Sequence, residues 1–342
     1  MTERKSKRNQ TLSLSAEEMT ALRTKLFMPE QMMTAEEAAG NVFTGDSFEV
    51  AKLLPEGAFD LLILDPPYNL DKDFHGFKFS KISDDAYFEY IDRCLSVFVP
   101  LLAPTASVYL CGDWQCTAAL YAAARKHLKI RNRITWQREK GRGALHNWKN
   151  CTEDIWFASV GNDYYFNPDA VKVRRKVIAP YRSGGRPKDW EETAEGNFRM
   201  TCASNFWDDI TVPYWSMPEN TDHPTQKPEK LIAKLILASC PENGLVLDPF
   251  LGSGTTTAVA SKLNRRFCGI ERNPEYCCWA LKRLELAREN SRIQGYTDGI
   301  FWERNSEPDR KRPRSPRKRK RFFDNSGCKS VAVNYIADME KN

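Results

Sequence analysis

Apolar strand patterns alternate with helical patterns on both sides of a long irregular segment, and this alternation is the strongest constraint on the fold. Before residue 161, helical patterns at 48–54, 84–99 and 114–128 lie among strand patterns at 42–43, 59–64, 106–111, 134–137 and 155–160. From residue 223 onward, helices at 229–239, 255–263 and 274–290 alternate with strands at 245–247 and 267–270. Such alternation predicts an α/β fold with a mostly parallel sheet and helices on both faces.

Composition excludes several classes of protein. The chain has 342 residues, of which 41% are hydrophobic, enough for a sizeable core. No apolar run approaches the ~18 residues that a membrane-spanning helix needs, and the polar start lacks the apolar stretch of a signal peptide. The ten cysteines contain no Cys-x-x-Cys pair, so the sequence predicts no metal site. We expect a globular intracellular protein with no membrane contact.

Asp65, Pro66, Pro67 and Tyr68 follow the apolar strand 59–64, at the end where open parallel sheets place their ligands. The two prolines fix the backbone and remove two N–H donors, which leaves carbonyl acceptors in a stiff geometry beside a carboxylate. Such an acceptor cluster next to an aromatic ring suits a planar amino group. The same residues also fit a stiffened strand exit in which Asp65 caps a backbone group and Tyr68 packs in the core.

A second motif, Asp248-Pro-Phe-Leu-Gly-Ser-Gly-Thr-Thr256, joins the strand 245–247 to a helix start. Gly252 and Gly254 allow a ligand to approach the backbone, and free N–H groups at the helix start favour an anionic group. The spacing lacks the third glycine of a dinucleotide fingerprint, which argues against NAD. Glu271 ends the next strand, where an acid commonly accepts ribose hydroxyls. A surface ion pair with the neighbouring arginine is the alternative for Glu271.

Three segments together resemble the signature motifs of the amino-group DNA methyltransferases that use S-adenosylmethionine: Asp65-Pro-Pro-Tyr68, His223-Pro-Thr-Gln-Lys-Pro228 and Asp248-Pro-Phe-Leu-Gly-Ser-Gly-Thr-Thr256. The catalytic motif precedes the cofactor glycines, an order that resembles the circularly permuted beta class. Smaller matches extend the resemblance over residues 42–290. It implies a Rossmann-like methyltransferase fold with a mostly parallel seven-stranded sheet and an inserted target-recognition region.

The resemblance implies a catalytic role for each residue of the first motif. The target base must leave the duplex, because its amino group is paired there and out of reach of a methyl donor. Tyr68 would stack on the flipped base, while Asp65 and the Pro66 carbonyl would accept the two amino hydrogens and Pro67 would keep the motif rigid. Aspartate at position 65 resembles the adenine-N6 enzymes, whereas serine is commoner among cytosine-N4 enzymes.

The resemblance also implies the residues that bind S-adenosylmethionine. Glu271 would bind the ribose, and Asp46 would lie in the adenine region. The remaining implied contacts are at the methionine end: His223, Thr225, Lys227, Asp248, Phe250, Gly252, Gly254 and Thr255.

The irregular segment 161–222 is the expected target-recognition region, because Arg and Lys side chains can contact phosphates and guanine edges. The glycine-rich basic loop 138–149 is a second candidate for DNA contact. Many of these side chains fit an ordinary loop surface equally well. The candidate DNA contacts are Arg138, Lys140, Arg142, His146, Lys149, Arg174, Arg175, Arg182 and Arg186.

Five segments follow from these assignments. A polar helical leader at 1–40 precedes the catalytic half at 41–160, and the target-recognition region at 161–222 precedes the cofactor-binding half at 223–295. The basic tail at 296–342 lacks apolar periodicity, so we expect it to be disordered.

The sequence therefore predicts a site-specific DNA adenine-N6 methyltransferase in the cytoplasm of a prokaryotic or phage-infected cell, with double-stranded DNA as its partner. As the modification enzyme of a restriction–modification system, it would have a cognate restriction endonuclease acting on the same site, and class resemblance suggests a homodimer. Cytosine-N4 methylation is the alternative. An oxidoreductase on a Rossmann-like sheet is more distant, since only Gly252-Ser-Gly254 supports it. A DNA-binding regulator that has lost catalysis is expected to have a broken Asp-Pro-Pro-Tyr motif, which is intact here.

The net charge of +6 comes from one stretch of the tail. Nine of the twelve residues at 310–321 are Lys or Arg, and none is acidic. Removing those nine from the 51 basic residues leaves 42 against 45 acidic ones, a net charge of −3. Outside the tail, any nucleic acid must therefore bind to a local basic patch.

Truncation before Arg310 is expected to leave the methylated sequence unchanged and to weaken binding to specific and non-specific duplexes by similar factors. Each phosphate contact adds close to one unit to the slope of log affinity against log salt, so the slope falls by roughly a few units. Titrations of both duplexes at several salt concentrations measure this. An unaltered slope would show that the tail does not contact DNA. A loss of affinity confined to the specific duplex would show that the tail takes part in target recognition.

Overall fold

The computed structural model describes residues 8–74, 76–138, 146–178, 181–194 and 196–303. Two candidate DNA contacts, Lys140 and Arg142, and the basic stretch 310–321 lie outside the described residues.

Most helices begin where a side chain accepts a hydrogen bond from the free N–H groups of the first turn. Ser15, Thr34, Asp46, Ser83 and Asn273 act in this way. Within the described ranges, every helix is too short or too polar to cross a bilayer. Besides two 3-10 turns at Val99–Leu101 and Asp169–Val171, the helices in this part of the chain are α1 (Ala16–Arg23), α2 (Ala35–Ala38), α3 (Ser47–Ala51), α4 (Asp84–Phe98), α5 (Thr117–His127), α6 (Glu229–Ser239), α7 (Thr255–Lys262) and α8 (Pro274–Glu289).

The strands fall into two groups, those outside residues 161–222 and those inside that segment. The first group is β1 (Asn41–Thr44), β2 (Phe59–Leu64), β3 (Lys72–Phe74), β4 (Phe77–Phe79), β5 (Leu102–Gly112), β6 (Lys129–Gln137), β7 (Thr152–Ser159), β14 (Leu245–Asp248), β15 (Arg266–Glu271), β16 (Tyr296–Thr297) and β17 (Ile300–Trp302), of which β3, β4, β16 and β17 are short. The second is β8 (Val173–Lys176), β9 (Arg182–Ser183), β10 (Arg186–Pro187), β11 (Glu191–Thr193), β12 (Gly196–Thr201) and β13 (Phe206–Trp207).

The central sheet has the strand order β1-β15-β14-β2-β5-β7-β6-β13. Every strand but β7 runs in the same direction, since β7 is antiparallel to both of its neighbours. The sheet is thus mostly parallel, as predicted, and the two-residue β13 adds an eighth strand to the seven expected. Strands from the two halves of the chain interleave, because β14 pairs directly with β2 through Leu247 and Leu62.

Alternate residues of the central strands pack into two hydrophobic clusters, one on each face of the sheet. Leu61 and Ile63 of β2 belong to the cluster that packs under α6, while Leu62 and Leu64 belong to the cluster under α4 and α5. All four side chains are at most 1% exposed. Burial on both faces explains why these strands appear in the sequence as continuous apolar runs.

The leader is attached to the central fold. Its two capping-box patterns, which start at Ser15 and Thr34, begin α1 and α2. Leu22 of α1 is buried, and Glu18 forms an ion pair with Lys282 of α8 at 3.0 Å.

A second sheet, of order β11-β12-β8-β17-β16, corrects two expectations. The segment 161–222 has regular strands, which its charged residues and lack of apolar runs concealed. The chain also remains ordered past residue 296, because β17 pairs in parallel with β8 and buries Phe301 and Trp302. Three of the sheet's five strands, β11, β16 and β17, have only two or three residues, too few to produce a detectable sequence period.

Candidate active site

A cavity of about 560 Å³ opens at the carboxyl ends of the parallel strands. Six carboxylates line it, each near a strand end at this edge of the sheet: Asp46 after β1, Asp65 after β2, Asp113 after β5, Glu153 at the start of the antiparallel β7, Asp248 at the end of β14 and Glu271 at the end of β15. We call it the strand-end cavity. Of the residues predicted for catalysis and cofactor binding, all but Gly254 line it, namely Asp46, Asp65, Pro66, Pro67, Tyr68, His223, Thr225, Lys227, Asp248, Phe250, Gly252, Thr255 and Glu271.

Hydrogen bonds from the following loop and from α4 hold the Asp-Pro-Pro-Tyr turn. Tyr87 donates its hydroxyl to the carbonyl of Pro67 at 3.1 Å. Asn69 exchanges two hydrogen bonds of 2.9 Å with the backbone of Ile82. The turn after β2 is therefore fixed on both sides by groups that the prolines alone do not supply.

Lys227 lies on the catalytic motif and lines the same cavity, and its contact with the cofactor's methionine end stays a prediction. Its Nζ is 2.8 and 2.7 Å from the two carboxylate oxygens of Asp65 and 3.1 Å from the hydroxyl of Tyr68. The lysine side chain is 8% exposed. Burial disfavours its charged form, but the carboxylates of Asp65 and Glu153 outweigh burial and raise the pKa of Lys227 above its usual value.

Glu153 is a site residue that sequence reasoning missed. One of its carboxylate oxygens lies 3.2 Å from the hydroxyl of Tyr68 and 3.5 Å from Nζ of Lys227, and the other accepts a hydrogen bond from Arg138. Burial, with the nearby charges of Asp65 and Glu153, raises the pKa of Tyr68 well above its usual value. The missed signal is the period of two in β7, where Glu153 precedes the buried Ile155 and Phe157.

Backbone N–H groups fix the carboxylate of Glu271. Its two oxygens accept hydrogen bonds from the backbone of Gly252 at 2.8 Å and of Asn273 at 2.7 Å. Burial raises the pKa of Glu271 despite these bonds. The side chain thus joins the glycine turn after β14 to the start of α8.

Asp46 and Asp248 each cap the backbone two residues further on. Asp46 accepts from the N–H of Phe48 and Asp248 from that of Phe250, both at 3.0 Å. Burial is the main cause that raises the pKa of Asp248 to about 7, and the carboxylates of Asp65 and Glu271 add to it.

The two glycines of the second motif have different roles. Both have positive φ, +56° at Gly252 and +83° at Gly254. A Cβ on Gly252 would lie 2.9 Å from the ring of His223, so this glycine allows close approach at the cavity wall. A Cβ on Gly254 would lie 2.5 Å from the backbone of Ala280 in α8. Gly254 therefore serves helix packing, and its place in the cofactor site stays a prediction.

Thr255 connects the second motif to the segment that carries Lys227. Its hydroxyl donates to the backbone carbonyl of Lys227 at 3.1 Å and accepts from Arg283 at 2.8 Å. His223 packs edge-on against Tyr276, with ring centroids 4.5 Å apart. These contacts fix the His-Pro-Thr-Gln-Lys-Pro segment against α7 and α8.

Of the described candidate DNA contacts, only Arg138 lines the strand-end cavity. His146 and Lys149 are exposed in the loop that follows it. Arg174 packs over the rings of Phe198 and Trp302 at 4.7 and 4.9 Å, within the second sheet.

Two other candidate DNA contacts, one in β8 and one in β9, form ion pairs within the protein. Arg175 lies 3.6 Å from Asp208, and Arg182 lies 3.0 Å from Glu192. Arg186 is exposed in β10. DNA contact by the candidates on this side of the molecule stays a prediction.

Comparison with known proteins identifies the family. Residues 59–282, about two thirds of the chain, match the family model described as DNA methylase. The chain belongs to this family. The matched range begins at β2 and ends within α8, so it contains the three motifs and the carboxylates at 65, 248 and 271.

Two curated relatives match over most of their length. The chain is 32% identical over 260 residues to DNA adenine methyltransferase YhdJ of Escherichia coli, a match that covers 74% of this chain and 85% of that protein. It is 33% identical over 243 residues to the type II methyltransferase M.HpaI of Haemophilus parainfluenzae, covering 70% of this chain and 72% of the relative.

A solved structure supports the fold. The cytosine-N4-specific PvuII DNA methyltransferase matches with a TM-score of 0.55 at 16% identity, covering 78% of this chain and 94% of that one. At this identity the likeness concerns the fold and leaves the target base open.

Asp248→Asn is expected to stabilise the protein at alkaline pH. The folded-state pKa of about 7 lies above the value of about 3.9 that an aspartate has in an unfolded chain. Wild-type stability therefore falls between these two pH values, and the penalty is full above about pH 7. At one pKa unit per ~1.4 kcal/mol, the variant should gain roughly 2–4 kcal/mol in unfolding free energy at pH 8 and almost nothing near pH 4. Urea unfolding of both proteins at the two pH values tests this, and equal differences at both would contradict it.

Proposed function

We propose that this DNA methylase transfers a methyl group from S-adenosylmethionine to the N6 amino group of a flipped adenine in double-stranded DNA. The observation that carries the proposal is the strand-end cavity, in which an amino-group acceptor, Asp65, faces the same space as Asp248 and Glu271. Family membership and the relative named as a DNA adenine methyltransferase support it.

The cavity fits S-adenosylmethionine in size and in chemistry. Its volume of about 560 Å³ lies within the range of small-molecule sites. Its carboxylates suit a cationic molecule with amino and hydroxyl groups. Glu271 would accept the ribose hydroxyls, and Asp46 would lie at the adenine beside the apolar side chain of Phe48. His223, Thr225, Asp248, Phe250 and Gly252 would face the methionine part.

The bound cofactor supplies an activated methyl group on a positively charged sulfur. The chain's own residues hold the acceptor nitrogen. Asp65 and the Pro66 carbonyl would accept its two hydrogens, which turns the nitrogen lone pair out of the ring plane and toward the methyl group. Tyr68 would stack on the base, and the rigid turn with Pro67 would keep these groups in place.

The proposed DNA-binding surface has two parts. Arg138, His146 and Lys149, with Lys140 and Arg142 of the same loop, would contact DNA near the flipped base. The segment 161–222 would recognise the target sequence through side chains that include Arg174, Arg175, Arg182 and Arg186. Salt dependence of binding is expected from phosphate contacts in both parts.

Relatives named as type II methyltransferases support a further proposal, a place in a restriction–modification system. The protein would then protect the sites of a cognate restriction endonuclease and act in the cytoplasm, where the DNA is. A homodimer is proposed from the class alone.

Cytosine-N4 methylation is the competing activity, and one experiment decides between them. Methylation-sensitive sequencing of DNA from cells that express the protein identifies the modified base and its sequence context together. We expect N6-methyladenine at one short sequence. N4-methylcytosine would overturn the proposed target, and unmodified DNA from cells that contain the folded protein would overturn the proposed reaction.

Asp65→Asn is expected to lower the rate of methyl transfer by ~10²-fold or more, because the variant loses a charged acceptor for the amino group. Affinity for S-adenosylmethionine should change little. Single-turnover rates and an equilibrium cofactor titration measure the two quantities. An equal loss in both would place Asp65 in the cofactor site.

Glu271→Gln is expected to weaken binding of S-adenosylmethionine by ~1.5–3 kcal/mol, because a charged acceptor is replaced by a neutral one. Calorimetric titration measures the affinity. Glu275→Gln, in the first turn of α8, is the matched control and should bind like wild type. If both variants bind the cofactor equally well, Glu271 does not hold the ribose.

A further inference from the structure

Four charged side chains that line the strand-end cavity contact one another in a single network. The positive groups are Lys227 and Arg138, and the negative groups are Asp65 and Glu153. The charges balance within the group. Lys227 lies between the two carboxylates, at 2.7 Å from Asp65 and 3.5 Å from Glu153.

The contact between Lys227 and Asp65 competes with the proposed role of Asp65. Both carboxylate oxygens of Asp65 accept hydrogen bonds from the ammonium group of Lys227. Each oxygen has a second lone pair, but the nearby positive charge weakens it as an acceptor for a target amino group. Asp65 becomes a stronger acceptor if the ammonium group moves away from it, and a buried cation that moves needs another partner close by.

Glu153 supplies that partner. Its carboxylate is the second one close to the ammonium group of Lys227, and its side chain is 6% exposed. A shift of roughly 0.6 Å would bring the ammonium group from 3.5 Å to ordinary hydrogen-bond distance. Tyr68 contacts both carboxylates at 3.2 Å, so the ring that would stack on the base is held by the same pair.

We propose that Glu153 is a positioning residue that receives the ammonium group of Lys227 when the target base enters, and so frees Asp65 to accept the base's amino hydrogens. This inference rests on the proposed function. Arg138 anchors Glu153 from the start of the loop 138–149, which connects the network to the proposed DNA surface.

Glu153→Gln tests the proposal, because the variant keeps the shape of the side chain and removes its charge. Without that charge, Lys227 stays on Asp65. We expect the single-turnover rate to fall by about 10²-fold, the cost of a misplaced reacting group, while affinity for S-adenosylmethionine stays within about twofold. Glu153→Asp keeps the charge and should recover most of the rate.

Asp154→Asn is the matched control. It makes the same chemical change one residue along β7, where the side chain bonds Thr135 on the other face of the sheet. We expect this variant to methylate within about twofold of wild type, as substitutions outside a site usually do.

A second measurement uses binding alone and applies even where turnover is too slow to follow. Wild type should bind a duplex with adenine at the target more tightly than one with unsubstituted purine there, because only adenine has the N6 amino group. In Glu153→Gln this preference should shrink by about tenfold. An unchanged preference, or equal losses of rate and of cofactor affinity, would overturn the proposal. Absence of adenine methylation by the wild type would instead overturn the proposed function.

Discussion

The contact between Lys227 and Asp65 is the interaction on which the active site depends. It joins a turn after β2 to a segment that precedes α6, 162 positions later in the chain. The ammonium group is buried and the carboxylate is half-buried, so the ammonium group without this partner would lose its hydration with little compensation. The pair therefore requires that both halves of the chain meet in one register, which the pairing of β2 with β14 provides.

The acidic lining of the strand-end cavity opposes stability and favours function. Asp248 and Glu271 are held by backbone N–H groups, and burial raises the pKa of both. Buried carboxylates with raised pKa values lower the unfolding free energy at neutral pH. Their presence in the fold therefore points to a functional role for their charge. Rigid capping of each carboxylate by its own turn keeps the acceptors in place before any ligand arrives.

The central sheet and most of the site could be predicted from the sequence. Strand β2 and helix α6 have the predicted bounds, because apolar runs and helical periods are local signals. The second sheet could not be predicted, since its strands are short and charged. Within the site, sequence alone also did not predict the packing of Gly254 against α8, the contact of Lys227 with Asp65, or the presence of Glu153. A motif indicates that a residue matters, but its partner is set by tertiary packing, and Glu153 is part of no motif that the sequence analysis used.

The interleaving of strands from the two halves has a consequence for biosynthesis. Strand β2 leaves the ribosome early, yet its neighbour β14 is ~185 residues further along the chain. One edge of β2 must therefore stay unpaired through most of translation, with apolar residues on both faces, and contacts of such long range form slowly. Nascent chains of this kind expose aggregation-prone edges and depend on protection until the last strand arrives. The methylase cannot bind cofactor or act on DNA before β15, which carries Glu271, has left the ribosome.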